Sequence, residues 1–386
     1  MQASPGPPFT MTSPQQSVAT LTRLDVALRR LGDGIEPVAP RGLPLAEALG
    51  CIAAENLPGG AWPPRHLAII DGWALRSADI VGASTYSPVP LPAAPVWVEA
   101  GSPLPERCDC VLELDRVTQL GPMFQAVSEA VPGEGVRRAG EDISAAAPIV
   151  LPGRRIGARD IALVRTLGRE QLTVRRPRVH IIDVGAHDGR AITTPLIAEV
   201  VRSDGAEVVV TIADAREAEA IGKAIDERQS CDLLLIVGGT GAGRTDTAVV
   251  ALAARGEVLA HGLALRPGRT VALGRIGKMP VIAVPGAPAD AMAVWLTVIE
   301  PLLRRLSGAR ERPRQSLPLA RKIASTVGLA EIVMLARNDA GWMPLAIGDI
   351  PLEHLARADA WLCVPDDSEG YAAGTLVEAQ WFSDRE

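Results

Sequence analysis

The segment GGTGAGRT, residues 238–245, has the residue types and spacing of a loop that binds phosphate. It follows the apolar run CDLLLIV and fits the pattern G-x-x-x-x-G-K-[ST] except at Arg244, where the pattern has lysine. Arginine is bulkier and forked, so it is a poor substitute for a lysine that reaches the β- and γ-phosphates. The residues alone leave three interpretations: nucleotide hydrolysis, a structural glycine turn, and the binding of another phosphorylated ligand.

Two other loops carry groups that can bind anions. In LRPGRT, Arg266 and Arg269 flank a Pro-Gly turn that can direct two cations at one anion, although solvated surface arginines are the alternative interpretation. In AVPGAP, Pro285 and Gly286 lie between a strand end and a helix start, where backbone N–H groups can bind an anion.

Three aspartates stand in or next to glycine-containing segments that could form loops. Asp246 follows the glycine loop, Asp71 stands in IIDGWALR, and Asp142 stands in RRAGEDI. A carboxylate that shares a cleft with phosphate-binding groups can hold Mg²⁺. The alternatives are a turn-forming role for Asp71 and a polar loop around Asp142. For a fourth aspartate, Asp214, a capping box with Glu217 is a sufficient explanation.

The elements that must position these loops alternate between strand and helix patterns from residue 178 to 306. RVHIIDVG, CDLLLIVGG and PVIAVPG are continuous apolar runs that end in glycine, as buried parallel strands do. TTPLIAEVVRSDG predicts a helix with Thr194 as its N-cap, and DAREAEAIGKAIDERQ predicts another. This is a doubly wound α/β pattern, whose ligand should lie beyond the carboxyl ends of the strands.

The whole chain is predicted to be an α/β multidomain protein. Residues 59–142 are rich in Pro and Gly with short strand patterns, which predicts a β-rich domain. The flanking stretches contain helix patterns and are expected to pack together as one discontinuous helical domain. The predicted divisions are 1–17 as a disordered tail, 18–58 with 143–176, 59–142, 177–309 as the α/β domain, and 310–386 as a small β-barrel-like domain.

Charge, cysteine count and hydropathy argue against a nucleic-acid-binding, disulfide-bonded or membrane-spanning protein. The formal net charge is −6, which argues against nucleic acid as a partner, since phosphate backbones need clustered Lys and Arg. Five scattered cysteines favour reduced thiols over a disulfide framework. The first 17 residues lack the features of a signal peptide, and prolines and charges interrupt the most apolar stretch, 281–303. We therefore expect a cytoplasmic protein without a membrane span.

Taken together in order, these segments resemble the molybdopterin molybdenumtransferases, a family that includes the C-terminal domain of gephyrin. The resemblance covers the chain from about residue 18 to its end. The segments that carry it are AWPPRHLAIIDGWALR, GSPLPERCDCVLELDRV, RRAGEDI, VGGTGAGRTD, LRPGRT and VPGAP. They are similar to the family's Asp-Gly-aromatic-Ala, Thr-Gly-Ala-Pro, Arg-Arg-x-Gly-Glu-Asp-Ile, Gly-Gly-Val-Ser-x-Gly-x-x-Asp, Lys-Pro-Gly-Lys-Pro and Leu-Pro-Gly-Asn-Pro motifs.

The resemblance implies an enzyme that adds molybdate to adenylylated molybdopterin, with a divalent cation, usually Mg²⁺, and releases molybdenum cofactor and AMP. It implies a homodimer in which the α/β domain binds molybdopterin, residues 59–142 form a lid, and the discontinuous domain links and dimerises the chains. The implied catalytic residues are Asp71, Asp142 and Asp246. The implied cofactor-binding residues are Gly238, Gly239, Thr240, Gly241, Gly243, Arg266, Arg269, Pro285 and Gly286. The resemblance assigns no metal ligands.

Several positions depart from the family pattern. His187 stands where the family has a functional Glu, with Asp183 or Asp188 as possible substitutes, and Ala100 replaces a Thr. Thr240-Gly241 replaces Val-Ser, and Ala287 replaces an Asn. Loss of one buried hydrogen-bond partner costs about 1–3 kcal/mol. These departures support a second hypothesis, a non-catalytic protein that binds or carries the cofactor. The third hypothesis, a phosphate-loop NTPase, depends on GGTGAGRT alone.

Overall fold

The computed structural model describes residues 20–146, 148–185 and 192–382, and these divide between two compact units. The larger unit comprises the chain up to Ala54, Pro152–Ile156 and the residues from Leu172 onward. The smaller unit comprises Glu55–Leu151 and Gly157–Gln171. The predicted disordered tail lies outside the described residues, and the predicted four-domain division stays a prediction.

A six-stranded mixed sheet forms the centre of the larger unit. Its first four strands are parallel, and the fifth runs antiparallel to both of its neighbours. The strand order is Glu207–Ile212, Arg178–Asp183, Leu233–Val237, Met279–Val284, Ala272–Ile276 and Glu257–His261. The three glycine-terminated apolar runs are confirmed as neighbouring parallel strands. The antiparallel pair at the edge was not predicted from the sequence.

Helices cover both faces of this sheet, which confirms the doubly wound pattern. Alternate strand residues face opposite sides: Ile181 and Leu235 belong to one apolar core, and Ile182 and Ile236 to another. The first core is closed by helices Leu24–Gly32, Thr193–Ser203, Pro288–Val294 and Glu300–Ser307, the last two joined through the π-helical turn Trp295–Ile299. The second is closed by Ala218–Asp226 and Ala248–Ala253.

Two predicted helix caps are wrong. The predicted N-cap is Thr194, but the helix begins at Thr193 after the N-cap residue Ile192, and Thr194 is buried inside its first turn. The hydroxyl of Thr193 donates instead to the carbonyl of Gly286 at 2.5 Å, so packing against a neighbouring loop displaced the expected cap. The capping box of Asp214 and Glu217 is absent because the helix begins only at Ala218, and Asp214 pairs with Lys223 at 2.9 Å.

The C-terminal part of the larger unit is a second sheet, with strands in the order Leu265–Arg266, Ala330–Asn338, Ala360–Val364, Leu376–Trp381 and Arg314–Pro318. Gly341–Ile347 also pairs with Ala330–Asn338. The predicted barrel-like closure is not confirmed, since only an isolated bridge between Leu319 and Trp342 joins the two ends of this sheet within the described part of the chain. The remaining elements of the larger unit are Arg41–Pro44, Leu45–Ala48, Ile52–Ala53, Gln171–Arg175, Ile323–Ala324, Leu352–Arg357 and Gly370–Tyr371.

The smaller unit is rich in short antiparallel strands, as its Pro and Gly content predicts. Gly72–Leu75 pairs with Val96–Val98 and Cys110–Leu112. The other strands are Leu57–Pro58, Leu67–Ala68, Val89–Pro90, Val117–Leu120, Met123–Ala126, Val136–Arg137 and Pro148–Val150, and the helices are Ser77–Asp79, Leu114–Arg116 and Ala158–Thr166. Across the three described ranges, we find no helix with the length and hydropathy needed to cross a membrane.

A buried histidine makes the central sheet sensitive to pH. His180 is 1% exposed; its Nδ1 accepts from the backbone N–H of Gln229 at 3.2 Å, so its Nε2–H donates to the Thr211 hydroxyl at 2.9 Å. Burial lowers the pKa of His180, so the folded protein keeps this ring neutral at a pH where the unfolded chain binds a proton.

We therefore expect acid to destabilise the wild type more than the variant His180→Gln. Below about pH 6.5, proton uptake by the unfolded state should remove at most about 1.4 kcal/mol of unfolding free energy per pH unit. Urea unfolding of both proteins between pH 8 and pH 5.5 measures this difference. Parallel stability curves would show that His180 does not contribute.

Candidate ligand-binding site

Three neighbouring parallel strands end at one edge of the central sheet, where the glycine loop and the VPGAP loop begin. Strands Arg178–Asp183, Leu233–Val237 and Met279–Val284 are parallel neighbours, so their carboxyl ends lie side by side. The chain stays paired just beyond them: Val184 donates to the carbonyl of Val237 at 3.0 Å, and Gly238 donates to that of Val284 at 2.9 Å. The predicted ligand edge of the sheet is therefore formed.

The glycine loop turns sharply at its first two residues. Gly238 and Gly239 have φ values of 99° and 67°, the left-handed region that favours glycine. The carbonyl of Gly239 accepts from Ala248, the first residue of the next helix, at 3.0 Å. A side chain at Gly286 would start 3.6 Å from the Cα of Gly238, so the loops that follow two adjacent strands are in contact.

The later glycines of the loop enclose the carboxylate of Asp246. Its Oδ2 accepts from the backbone N–H of Gly243 at 3.1 Å. A Cβ atom would lie 2.6 Å from Oδ2 if placed on Gly241, and 2.9 Å if placed on Gly243. Both glycines therefore leave room for this carboxylate. In the sequence Asp246 follows the glycine loop, and in the structure the loop wraps around its carboxylate. Arg244, the residue that departs from the phosphate-loop pattern, is exposed.

Arg216 connects the glycine loop to neighbouring segments, a role that the sequence did not predict. Its Nη2 lies 3.1 Å from Asp246 Oδ1, its Nη1 donates to the carbonyl of Gly185, and its own carbonyl accepts from the Thr247 hydroxyl at 2.6 Å. The side chains of Arg216 and Asp246 are 19% and 18% exposed. One signal could have found Arg216: it is a cation just beyond the end of a parallel strand, where ligands bind.

Thr240 connects the glycine loop to the LRPGRT turn. Its buried hydroxyl lies 3.0 Å from the hydroxyl of Thr270, and its carbonyl lies 3.3 Å from His261 Nε2. On the other side of the same turn, the backbone N–H of Gly268 donates to Asp290 at 2.7 Å. These contacts hold the LRPGRT turn beside the glycine loop, at the carboxyl edge of the central sheet.

The two arginines of this turn have different surroundings. Arg266 forms an ion pair with Glu331, which is completely buried and also accepts from the Ser325 hydroxyl at 2.7 Å and the Thr326 amide at 3.0 Å. The register of strands Leu265–Arg266 and Ala330–Asn338 places the two charges opposite each other. Arg269 is exposed, and no ion pair joins its side chain to any other residue in the described ranges. The Arg266 side chain is also about half exposed, at 48%, so pairing and not exposure distinguishes the two arginines in the described structure.

The remaining predicted residues are distributed between the two units. Pro285 is buried and Gly286 is exposed directly after their strand, and Ala287 precedes a helix without a side-chain cap. Asp71 and Asp142 belong to the smaller unit. Asp71 accepts from the backbone N–H of Ala100 at 2.7 Å, and Asp142 lies 3.4 Å from Arg137 Nε. His187 and Asp188 lie outside the described residues.

Among the described residues, those around Asp246 do not fit a magnesium ion. Mg²⁺ needs carboxylate or water oxygens at about 2.0–2.1 Å in octahedral geometry, whereas both oxygens of Asp246 accept from Arg216 and Gly243. Asp183, which could have replaced the family's Glu, is buried and accepts from Gly185 at 2.8 Å. Within residues 20–146, 148–185 and 192–382, no three His, Cys, Asp or Glu side chains are placed to hold a metal.

Comparison with known proteins identifies the family. Residues 22–168 match the model of the MoeA N-terminal region (domain I and II), and residues 168–305 match that of the probable molybdopterin binding domain. The chain belongs to the molybdopterin molybdenumtransferase family. The glycine loop, the LRPGRT turn and the VPGAP loop all lie in the second matched region.

Individual members of the molybdopterin molybdenumtransferase family match nearly end to end. The chain is 26% identical to molybdopterin molybdenumtransferase 1 of Mycobacterium tuberculosis over 90% of this chain and 96% of the relative. It is 27% identical to molybdopterin molybdenumtransferase of Synechococcus elongatus, over 89% and 95%. The crystal structure of the molybdopterin biosynthesis MoeA protein from Pyrococcus horikoshii is similar with a TM-score of 0.70, at 25% identity over 94% and 99% of the two chains.

We expect Arg266→Gln to lower stability and Arg269→Gln to leave it almost unchanged. The first change leaves a buried carboxylate without its cation, which should cost about 1–3 kcal/mol of unfolding free energy. The second removes an exposed charge and should change that free energy by less than about 0.5 kcal/mol. Urea denaturation of the two variants and the wild type measures the difference. Equal stabilities would show that the pair with Glu331 contributes nothing.

Proposed function

We propose that this chain adds molybdate to adenylylated molybdopterin and releases AMP, completing molybdenum cofactor synthesis. The observation that carries the proposal is the contact between the glycine loop and the VPGAP loop at the carboxyl edge of the central sheet, beside Val184 and Gly185. Those loops lie in the region similar to a probable molybdopterin binding domain, and relatives matched over nine-tenths of their length are named molybdopterin molybdenumtransferases.

The chemistry of the loops suits the proposed substrates. Molybdate and the pyrophosphate of an adenylylated pterin are anions, so their site needs positive charge and close approach to the backbone. Gly238, Gly239 and Gly286 keep side chains away from the edge of the sheet, and Arg269 offers a cation that does not already belong to an ion pair in the described structure. In this proposal, Thr240 and Arg266 hold the loops in place through Thr270 and Glu331, and need not contact the ligand.

The other predicted parts of the function belong to the same proposal. They are the catalytic roles of Asp71 and Asp142, a homodimer, and a cytoplasmic location. Asp71 accepts from the backbone N–H of Ala100, a contact that any residue other than proline at position 100 can make. The alternative that the departures from the family support is a non-catalytic carrier, which would bind the pterin without releasing AMP.

Purified protein incubated with adenylylated molybdopterin and molybdate should release AMP, and release should depend on molybdate. Tight binding of the pterin with no AMP release would favour the carrier, and ATP turnover without the pterin would favour the NTPase. High-performance liquid chromatography of AMP measures the reaction.

In the same assay, Arg269→Gln should lower kcat/KM about tenfold, a loss of about 1.4 kcal/mol of transition-state binding. Lys278→Gln is the matched control, because Lys278 is an exposed cation in the turn at the opposite end of strand Met279–Val284. Equal losses in both variants would exclude a specific role for Arg269.

A further inference from the structure

The carboxylate of Asp246 already has a cation beside it. Arg216 approaches Oδ1 from the loop that follows strand Glu207–Ile212, and the N–H of Gly243 donates to Oδ2. The family resemblance implies a divalent metal, and Asp246 is the one implied catalytic carboxylate that belongs to the larger unit. The charge of this carboxylate is thus neutralised by a residue of the chain itself.

A divalent ion could bind this carboxylate only by displacing the guanidinium or by lying next to it. Displacement would break an ion pair that is about four-fifths buried, where charge interactions are stronger than in water. Binding beside it would place two cations against one carboxylate at close range, which is repulsive. Either arrangement makes a metal at Asp246 unfavourable.

Arg216 is also held from three directions. Its guanidinium donates to the carbonyl of Gly185, and the Thr247 hydroxyl donates to its own backbone carbonyl. The position of its guanidinium beside Asp246 is therefore fixed. A fixed cationic group of this kind can do electrostatically what a bound cation would do, without exchange with solvent.

We propose that Arg216 takes the place of a divalent cation at Asp246. The chain then binds no Mg²⁺ at this carboxylate, and its AMP release requires no added divalent metal. The first statement concerns binding alone, and the second depends on the function proposed above. Arg216 acts here as a positioning residue: it fixes Asp246 and the loops around it and is not assigned a contact with the substrate.

The binding experiment is a Mn²⁺ titration of the full chain, followed by electron paramagnetic resonance, with wild type and Asp246→Asn in parallel. We expect the two isotherms to coincide between 10 µM and 1 mM Mn²⁺, because Asp246 is not a ligand. Submillimolar binding by the wild type that Asp246→Asn removes would overturn the proposal. This result does not depend on whether the protein releases AMP.

The activity experiment compares AMP release after chelation with EDTA and after addition of Mg²⁺. The wild type should keep its rate within twofold. Arg216→Gln should lose at least tenfold, and Arg216→Lys, which keeps the charge, should recover part of that loss. Thermal melting confirms that the variants are folded, so that a loss of fold is not mistaken for a loss of function.

Abolition of wild-type activity by EDTA with recovery on Mg²⁺, or an Arg216→Gln variant as active as the wild type, would contradict the proposal. If no condition yields AMP, the proposed function fails, and the Mn²⁺ titration still decides whether Asp246 binds metal.

Discussion

The parallel alignment of three central strands is the constraint on which the site depends. Because Arg178–Asp183, Leu233–Val237 and Met279–Val284 run in one direction as neighbours, their loops must emerge at the same edge. Buried aliphatic residues on both faces fix this register, since a slip of one residue would turn every side chain towards the opposite core. The packing of the two apolar cores therefore fixes where the loops leave the sheet.

Polar contacts then give the loops their conformation. Arg216 and Asp246 connect the loops of three strands, Thr240 and Thr270 join the glycine loop to the LRPGRT turn, and Arg266 reaches Glu331 in the C-terminal sheet. Each pair is partly or wholly shielded from water, so each is stronger than a similar pair on the surface and costs more to break. Hydrogen bonds and ion pairs between the loops therefore hold the site in its conformation.

These contacts give several of the predicted ligand-binding residues a structural role. In this chain, Gly241 and Gly243 make room for the Asp246 carboxylate, and Arg266 compensates a buried glutamate. Among the described residues, the groups available to an anionic substrate include the exposed backbone near Gly286 and the exposed side chains of Arg244 and Arg269. The site therefore contains an internal cation, Arg216, paired with Asp246, and an exposed cation, Arg269.

The sequence by itself determined the parallel strands, the glycine-terminated loops and the β-rich smaller unit, because apolar periodicity and glycine or proline punctuation act over a few residues. It did not reveal the antiparallel edge strands, the true start of the helix at Thr193, or the role of Arg216. Those features depend on partners distant in the chain: Gly286 for Thr193, and Asp246 and Gly185 for Arg216. Such contacts leave no local pattern, so only the tertiary structure decided which charges remain available to a ligand.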